Sequence, residues 1–386
     1  MYPSQPSKYA AKSGSQSKTP VFTGVSRLRR ISFSAVLALL AVASFGFSQS
    51  AQAATPTFTV GWSVYAGWNP YFYMAKSGVL KKWADKYGIA IKVQRFDYAA
   101  SLDAFVGKNI DACTMTNMEA LDMPAAAGVD STAIIVGDYS NGNDAVLARN
   151  NLTLAQLPGK HIMLVQKTVS EYLLERAMDM NGLAAQIPQL RLTNTSDSDL
   201  VGAFLGNQGN QVAVTWKPLV SQILAQGGNV KPLFDSSKIP GEILDLLVVR
   251  TDILARPDGS GIKFAKAISG AWFETVAQLA AGNAQAISGS ASASGDSVAS
   301  YKEQLKTTYL FATPKSGVDF AESPAIKQKM DLVRQFCFRH QLLGQNIATV
   351  NDVAIRYPDG SVQGKGDRVR LRFDSSYMKM AQQGKL

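Results

Sequence analysis

Polar and aromatic side chains collect in the loops that directly follow the predicted strands of this chain. In open α/β sheets, ligands bind beyond the carboxyl ends of the strands, where loops and helix N-termini present backbone donors. Tryptophan near a loop is costly unless something covers it, so three tryptophans close to these loops strengthen the pattern. The sequence therefore predicts a cleft for a small molecule. The candidate ligand-binding residues are Trp62, Trp68, Asn69, Asp97, Asn117, Glu119, Asp138, Asn143, Asp144, Thr168, Ser170 and Trp216.

Catalytic chemistry has little support, because the two histidines, His161 and His340, sit in no catalytic pattern. His161 begins an apolar segment, which favours a structural role. Cys337 and His340 share a face of a predicted helix, but zinc needs three or four ligands and no second pair is visible. There is no G-x-S-x-G elbow, no phosphate loop and no GxGxxG after a strand. The sequence predicts neither an enzyme nor a metal site, and it calls for no cofactor.

The first 53 residues have the pattern of a secretory signal. Arg27, Arg29 and Arg30 precede an apolar run over 31–47 that is short for a membrane span, and small residues lead up to Ala53. We therefore predict a signal peptide at residues 1–53, cut near Ala53, and export to the periplasm. A membrane anchor is the alternative, which the absence of a basic flank after the run disfavours. The pair Arg29-Arg30 leaves general secretion and twin-arginine export both open.

The net charge of the chain belongs largely to this leader, which carries six basic and no acidic residues. Beyond it, 33 basic face 29 acidic residues, so the formal charge falls from +10 to +4. No basic stripe outside 365–372 indicates a nucleic-acid partner, and a solvated strand explains that segment. Cys113 and Cys337 leave one long-range disulfide open, but their apolar surroundings favour two buried thiols.

Short apolar strands and amphipathic helices alternate along the rest of the chain, which predicts an α/β fold with mainly parallel sheets covered by helices. Strands are predicted at 58–62, 89–96, 111–115 and 132–136, with a helix over 71–86. A break at Pro158-Gly159 precedes a second strand and helix series, and the apolar strand 246–250 is predicted to return to the first lobe. The predicted division is 54–152 for the first part of lobe 1, 153–245 for lobe 2 and 246–386 for the return segment and C-terminal helices of lobe 1.

Three motifs in a fixed order carry a resemblance to a known family: Gly67-x2-Pro70-x4-Ala75-Lys76-x-Gly78, Ala104-Phe105-x2-Gly107-x3-Asp111-Ala112 and Val212-Ala213-Val214-Thr215-Trp216-Lys217-Pro218. With them the sequence resembles the periplasmic substrate-binding proteins of the nitrate, sulfonate and taurine family of ABC importers. This resemblance implies a two-lobe periplasmic-binding-protein fold of type II, with two hinge crossings, that closes on one small ligand for delivery to a membrane permease. The family often has an acidic residue before the last proline of the third motif, where this chain has Lys217.

Two further segments, 114–121 and 137–144, resemble binding proteins encoded beside urea carboxylase, whose presumed ligands are urea or guanidine. A small planar ligand rich in donors would use the ring face of Trp68 or Trp216 and acceptors from the acidic candidates. Lys167 and Lys217, in loops of the second lobe, would instead suit the oxygens of nitrate or a sulfonate.

The sequence thus predicts a monomeric extracytoplasmic receptor that traps a small nitrogen compound of the guanidine or urea type between two α/β lobes. Nitrate, taurine or another aliphatic sulfonate, and a thiamine pyrimidine precursor are the alternative ligands. The expected partner is an ABC permease in the inner membrane, and a sensing role with a membrane receptor is the alternative. An enzyme resembling the thiamine-pyrimidine synthases is the alternative of another class. It needs an active-site histidine and a cysteine-rich loop, and this chain has no cysteine cluster.

Overall fold

The computed structural model describes residues 54–386. The predicted signal peptide and its cut near Ala53 lie outside the described residues. Within 54–386, no helix is both long and apolar enough to cross a membrane. The strands of this part form a nine-stranded and a five-stranded sheet. We call the sheets, with the helices packed on them, the first lobe and the second lobe.

Fourteen strands build the two sheets. In chain order they are β1 (Thr57–Trp62), β2 (Ala90–Arg95), β3 (Ala112–Thr116), β4 (Ser131–Ser140), β5 (Ala145–Arg149), β6 (His161–Leu164), β7 (Arg191–Asn194), β8 (Val212–Thr215), β9 (Val230–Asp235), β10 (Leu244–Arg250), β11 (Thr308–Leu310), β12 (Ala354–Arg356), β13 (Val362–Gln363) and β14 (Val369–Phe373). The first sheet has the order β13-β12-β14-β4-β10-β3-β1-β2, with β11 paired to β4, and the second has the order β7-β6-β8-β5-β9.

Helices cover both sheets, as predicted. They are α1 (Asn69–Lys76), α2 (Val79–Lys86), α3 (Tyr98–Val106), α4 (Asn117–Ala126), α5 (Val169–Met180), α6 (Asp197–Gly206), α7 (Leu219–Gln226), α8 (Thr251–Leu254), α9 (Ser260–Ala280), α10 (Ala284–Ser292), α11 (Val298–Leu305), α12 (Pro314–Ala321), α13 (Pro324–Arg339) and α14 (Ser376–Gln382). Local sequence sets where several of them begin: Pro70 stands in the first turn of α1, and the Thr168 hydroxyl accepts the Ser170 amide at the start of α5.

The central strands of the first lobe are buried along almost their whole length. β10 lies between β3 and β4 and runs antiparallel to both, whereas β1 pairs in parallel with β2 and β3. The near-continuous apolar runs of β4 and β10 suit strands that are covered on both faces. In the second sheet, β5 runs antiparallel to β8 and β9, whereas β6 pairs in parallel with β7 and β8. Each sheet therefore contains both parallel and antiparallel pairs.

Three boundaries differ from those expected from the sequence. Residues 145–149 form β5 of the second sheet, so the chain leaves the first lobe at the polar segment 141–144, before the Pro158-Gly159 break. The fourth strand extends to Ser140 because β10 and β11 pair with its last residues, which places Asp138 inside the strand. The predicted helix over 71–86 is two helices, since Gly78 adopts φ 86° between α1 and α2.

The interior of the first lobe holds the two cysteines. Cys113 lies in β3 and Cys337 in α13, and both are buried and free, as predicted. Burial raises the pKa of Cys113 to about 12, and it also raises that of Cys337. Both side chains are therefore neutral thiols that act as small apolar core groups.

Candidate functional site

A small cavity lies where the two lobes meet. Its volume is about 10 Å³, close to the least that holds one water molecule. Loops after β1 and β8, the first residues of α3 and α5, and both crossings between the lobes contribute to its wall. The lining residues are Tyr65, Trp68, Tyr98, Thr116, Asp144, Val169, Trp216, Ile243 and Asp245.

Four aromatic rings line one side of this cavity in a continuous chain. The ring centroids of Tyr65 and Trp68 are 5.2 Å apart, those of Trp68 and Tyr98 5.4 Å, and those of Tyr98 and Trp216 5.6 Å. Their interplanar angles of 67°, 39° and 74° show that neighbouring rings are tilted against each other and do not stack. We call these four residues the aromatic box. Ring faces in such a box attract a cation through the aromatic quadrupole.

Two aspartates stand directly opposite each other on the central strands next to this box. Asp138 in β4 pairs in register with Asp245 in β10, and the exposed fractions of the two residues are 0% and 3%. Like charges directly opposite in a sheet repel each other. Burial raises the pKa of both carboxyls, and for Asp245 the charge of Asp138 raises it further. Within residues 54–386, one oxygen of each, Oδ2, has no hydrogen-bond partner.

Asp144 adds a third buried carboxyl at the first crossing. Its backbone amide donates to the Ser140 hydroxyl at 3.1 Å, which fixes the residue at the cavity wall. Burial raises the pKa of Asp144 to about 7.

Glu119, at the start of α4, bridges the two lobes. Its Oε1 accepts a hydrogen bond from the backbone amide of Val169, the first residue of α5, at 2.8 Å. Its Oε2 accepts from the hydroxyls of Tyr98, at 2.8 Å, and Thr116. Burial raises the pKa of Glu119, although these three donors oppose the shift. A first-lobe carboxylate thus caps the positive end of a second-lobe helix.

The cavity collects acidic groups without basic ones. Among the described residues that line it, none is lysine, arginine or histidine. Lys167 is exposed, and the Lys217 ammonium donates to the Thr307 hydroxyl at 2.8 Å. Carboxylates buried without a cation are costly, and such groups either take up protons or bind a positive charge.

Half of the candidate residues from the sequence are brought to this cavity or its immediate wall. Trp68, Asp144 and Trp216 line it. Asp138 and Asn143 bond to the hydroxyl of the lining residue Tyr65, both at 3.1 Å, and Glu119 bonds to Tyr98. Direct contact of these residues with a ligand stays a prediction.

The other six lie outside the cavity wall. Trp62 is a core residue packed against Phe72, and Asp97 is exposed, where it accepts a hydrogen bond from the Ser198 hydroxyl. The remaining four are buried. Asn69 donates to the Ser294 hydroxyl, and Asn117 bonds to the backbone of Glu242 and Leu244. Thr168 caps α5 by accepting the Ser170 amide, and the Ser170 hydroxyl has no hydrogen-bond partner among residues 54–386.

Six lining residues were not among the candidates. Tyr65 belongs to the loop after β1 and Thr116 ends β3, so their places after strands were a usable signal. Asp245 had a different signal, a single acid within the apolar stretch of β10. Tyr98, Val169 and Ile243 carry no distinguishing pattern in the sequence. The six are Tyr65, Tyr98, Thr116, Val169, Ile243 and Asp245.

Gly67→Ala is expected to destabilise the protein, because an ideal Cβ at Gly67 would lie 2.2 Å from Asp138 Oδ2. The carboxylate would have to leave its position, and overpacking of this kind costs about 1–3 kcal/mol. The control is Gly202→Ala within α6, whose Cβ would meet no atom within 4 Å. Urea denaturation should show a lower free energy of unfolding for Gly67→Ala alone, and equal values for the two variants would contradict the expectation.

Solved structures of several ligand-binding proteins have the same architecture. The alkanesulfonate-binding protein of Xanthomonas axonopodis pv. citri, bound to MOPS, matches with a TM-score of 0.61 and 17% identity over 76% of this chain and 97% of that one. The periplasmic aliphatic sulphonate binding protein of Escherichia coli matches with a TM-score of 0.58 and 19% identity over 76% and 95%. The ligand-binding component of an ABC-type import system from Staphylococcus aureus, with zinc bound, matches with a TM-score of 0.58 and 14% identity over 85% and 99%.

These matches confirm the predicted two-lobe periplasmic-binding-protein fold. At such identities they show the fold alone. No family model matches the sequence, and no curated protein matches it.

Proposed function

We propose that this protein is an extracytoplasmic receptor of an ABC importer, and that it binds a small nitrogen cation of the guanidine type between its lobes. One observation carries the proposal: a box of four aromatic rings is closed by buried carboxyls, and no basic side chain of the described residues lines it. A cation in the box would face aromatic rings and neutralise carboxylates at the same time. Guanidinium adds planar pairs of N–H donors that match a carboxylate.

The size of the cavity favours a ligand of few non-hydrogen atoms. The cavity holds about one water molecule, so any solute requires its walls to move outward. Guanidinium and urea, with four non-hydrogen atoms each, require less movement than an aliphatic sulfonate or a thiamine pyrimidine precursor. Urea has the shape of guanidinium without its charge, so it would leave the buried carboxylates uncompensated. We therefore place urea second.

Anionic ligands are disfavoured by the position of Glu119. Helix N-termini are common binding sites for anions. In this protein the first amide of α5 already donates to Glu119, and the lysines that could have attracted nitrate or a sulfonate lie outside the cavity.

Contacts across the interface explain how a ligand would favour the closed arrangement. Trp216 of the second lobe donates its indole N–H to the carbonyl oxygen of Val64 in the first lobe at 2.9 Å, and the Tyr98 amide donates to Asp197 at 3.1 Å. A ligand in the box touches rings from both lobes at once, so it binds the closed form more tightly than the open form and shifts the population toward it. A permease that recognises the closed form would then receive the solute.

Isothermal titration calorimetry with a panel of small solutes tests this proposal. We expect guanidinium chloride to bind with a stoichiometry of one, urea to bind more weakly, and nitrate, taurine and a thiamine pyrimidine precursor to give no heat beyond dilution. Sodium chloride at matched concentration controls for the chloride ion and the ionic strength. Binding of nitrate or taurine without binding of guanidinium would overturn the proposal.

Trp216→Phe is expected to weaken guanidinium binding by about twofold to tenfold. The ring face remains, but the hydrogen bond to Val64 across the interface is lost, and one such bond contributes about 0.5–1.5 kcal/mol. The matched control is Trp83→Phe, whose indole donates to Glu274 away from the cavity. Calorimetry should show unchanged affinity for the control. A similar loss in both variants would mean that the bond across the interface has no special role.

The enzyme alternative has no support in the cavity. It required an active-site histidine, but His161 lies exposed at the start of β6, and His340 lies beside Glu171 and Glu175, away from the cavity wall. A receptor therefore remains the better account of the site.

A further inference from the structure

A second cluster of chemically competent side chains lies at the lobe interface, outside the cavity. His340 directly follows α13 of the first lobe, and Glu171 and Glu175 lie four residues apart on α5 of the second lobe. His340 Nε2 is 2.7 Å from Glu175 Oε1, and Nδ1 is 3.6 Å from Glu171 Oε1. The glutamate residues are only 9% and 6% exposed. Two helices from different lobes thus bring an imidazole and two carboxylates together.

The geometry points to a binding site for a divalent transition-metal ion of the Zn²⁺ class at Glu171, Glu175 and His340. One ligand atom from each residue lies within 4.8 Å of the other two. Tetrahedral zinc, with bonds of about 2.0–2.2 Å to nitrogen and oxygen, requires its ligand atoms to be about 3.4 Å apart. The imidazole contacts the two glutamates through different nitrogens and can give only one nitrogen to an ion, so one of these contacts must be exchanged for a metal bond. With one ligand atom per residue already within 4.8 Å of the others, side-chain rotations that shorten these separations by about 1 Å bring all three onto one ion.

The charge of the cluster favours a divalent ion. Among the described residues, His340 is the one basic side chain that forms an ion pair with Glu171 or Glu175. Two carboxylates and a protonated imidazole leave one uncompensated negative charge, and buried uncompensated charge is costly. Two carboxylates, a neutral imidazole and a divalent ion sum to zero. A donor set of one nitrogen and two oxygens suits zinc and the neighbouring divalent metals, and three protein ligands leave a fourth position for water.

A metal ion here would join the lobes directly. Because its ligands come from α5 and from the end of α13, the complete site exists only when the lobes are closed. Bound metal therefore stabilises the closed form, and it does so without any solute in the cavity.

The experiment uses the chelator-treated protein without solute and Zn²⁺ as the sole titrant, in competition with a chromophoric zinc chelator. We expect one equivalent to bind and to raise the melting temperature. His340→Ala and Glu175→Gln should each weaken binding at least tenfold. The matched control is His161→Ala, which removes the other histidine of the chain, an exposed side chain on β6, and should bind as the parent does.

Binding of Co²⁺ gives a spectroscopic test that distinguishes a metal site from a structural ion pair. The visible absorption of tetrahedral Co²⁺ should appear in the parent protein and in His161→Ala, and it should vanish in His340→Ala. Melting curves without metal show whether each variant is folded. If the parent binds no Zn²⁺, or if His340→Ala binds it as the parent does, the cluster is an ion pair and the inference is wrong. Neither result bears on guanidinium binding, which is measured separately.

Discussion

Asp245→Asn is expected to weaken guanidinium binding by at least about 30-fold. Removal of one partner from a buried charge pair costs about 2–5 kcal/mol, and the lower figure already corresponds to that factor. Asn keeps the shape of the side chain, so the change removes the charge of a cavity-lining carboxyl without opening a void. Calorimetry with guanidinium chloride measures the loss.

The same variant is expected to stabilise the protein in the absence of solute. Asp245 stands opposite Asp138, and at a pH where both carboxyls are ionised a neutral amide relieves the repulsion between them. The melting temperature without solute and the affinity should therefore move in opposite directions. The control is Asp319→Asn, an exposed member of a surface ion pair with Lys315, which should change neither. Weaker binding together with a lower melting temperature would indicate damage to the fold instead.

The affinity for guanidinium is expected to rise with pH through about 7. Burial raises the pKa of Asp144 to about 7, and it raises the pKa values of Asp138, Asp245 and Glu119 as well. A cation favours the ionised carboxylates, so its binding releases protons, and the affinity grows by up to about tenfold per pH unit for each proton released. Urea carries no charge, and its affinity should not rise in this way.

The stability of the solute-free protein should show the reverse trend. A carboxyl with a raised pKa in the folded state binds its proton more tightly there than in the unfolded chain, so its contribution is present at low pH and is lost as pH rises through the folded value. The melting temperature should fall between pH 5 and pH 8, and guanidinium should restore it most at pH 8. Calorimetry in two buffers of different ionisation enthalpy counts the released protons. Pure pH independence of guanidinium binding would contradict the proposed role of these carboxyls.

Local sequence was sufficient to predict the alternation of strands and helices, because periodicity, caps and turn residues act over a few positions. It also placed Trp68, Asp144 and Trp216 in loops at the ends of strands, where the cavity lies. The crossing at β5 was misplaced for a physical reason. Its five residues resemble any short apolar strand, and only their pairing with β8 and β9, farther along the chain, decides to which sheet they belong.

The pairing of Asp138 with Asp245 could not be predicted from local patterns. In the sequence, each residue is a single acid next to an apolar segment. They lie opposite each other only because of the antiparallel register between β4 and β10. Tyr98 is similar, since its role in the box follows from the position of α3 against a loop of the other lobe. The chemistry of this cavity is a property of long-range pairing, which propensities do not encode.

The bond between Glu119 and the first amide of α5 also has a consequence for selectivity. A side chain fixed to the first lobe is present at the helix terminus of the second lobe at an effective concentration in the millimolar range or above. At that terminus it would compete with any dissolved anion. Nitrate, sulfate or chloride would have to displace it at each encounter, so a protein with the proposed function would discriminate against dissolved anions before any solute reached the aromatic box.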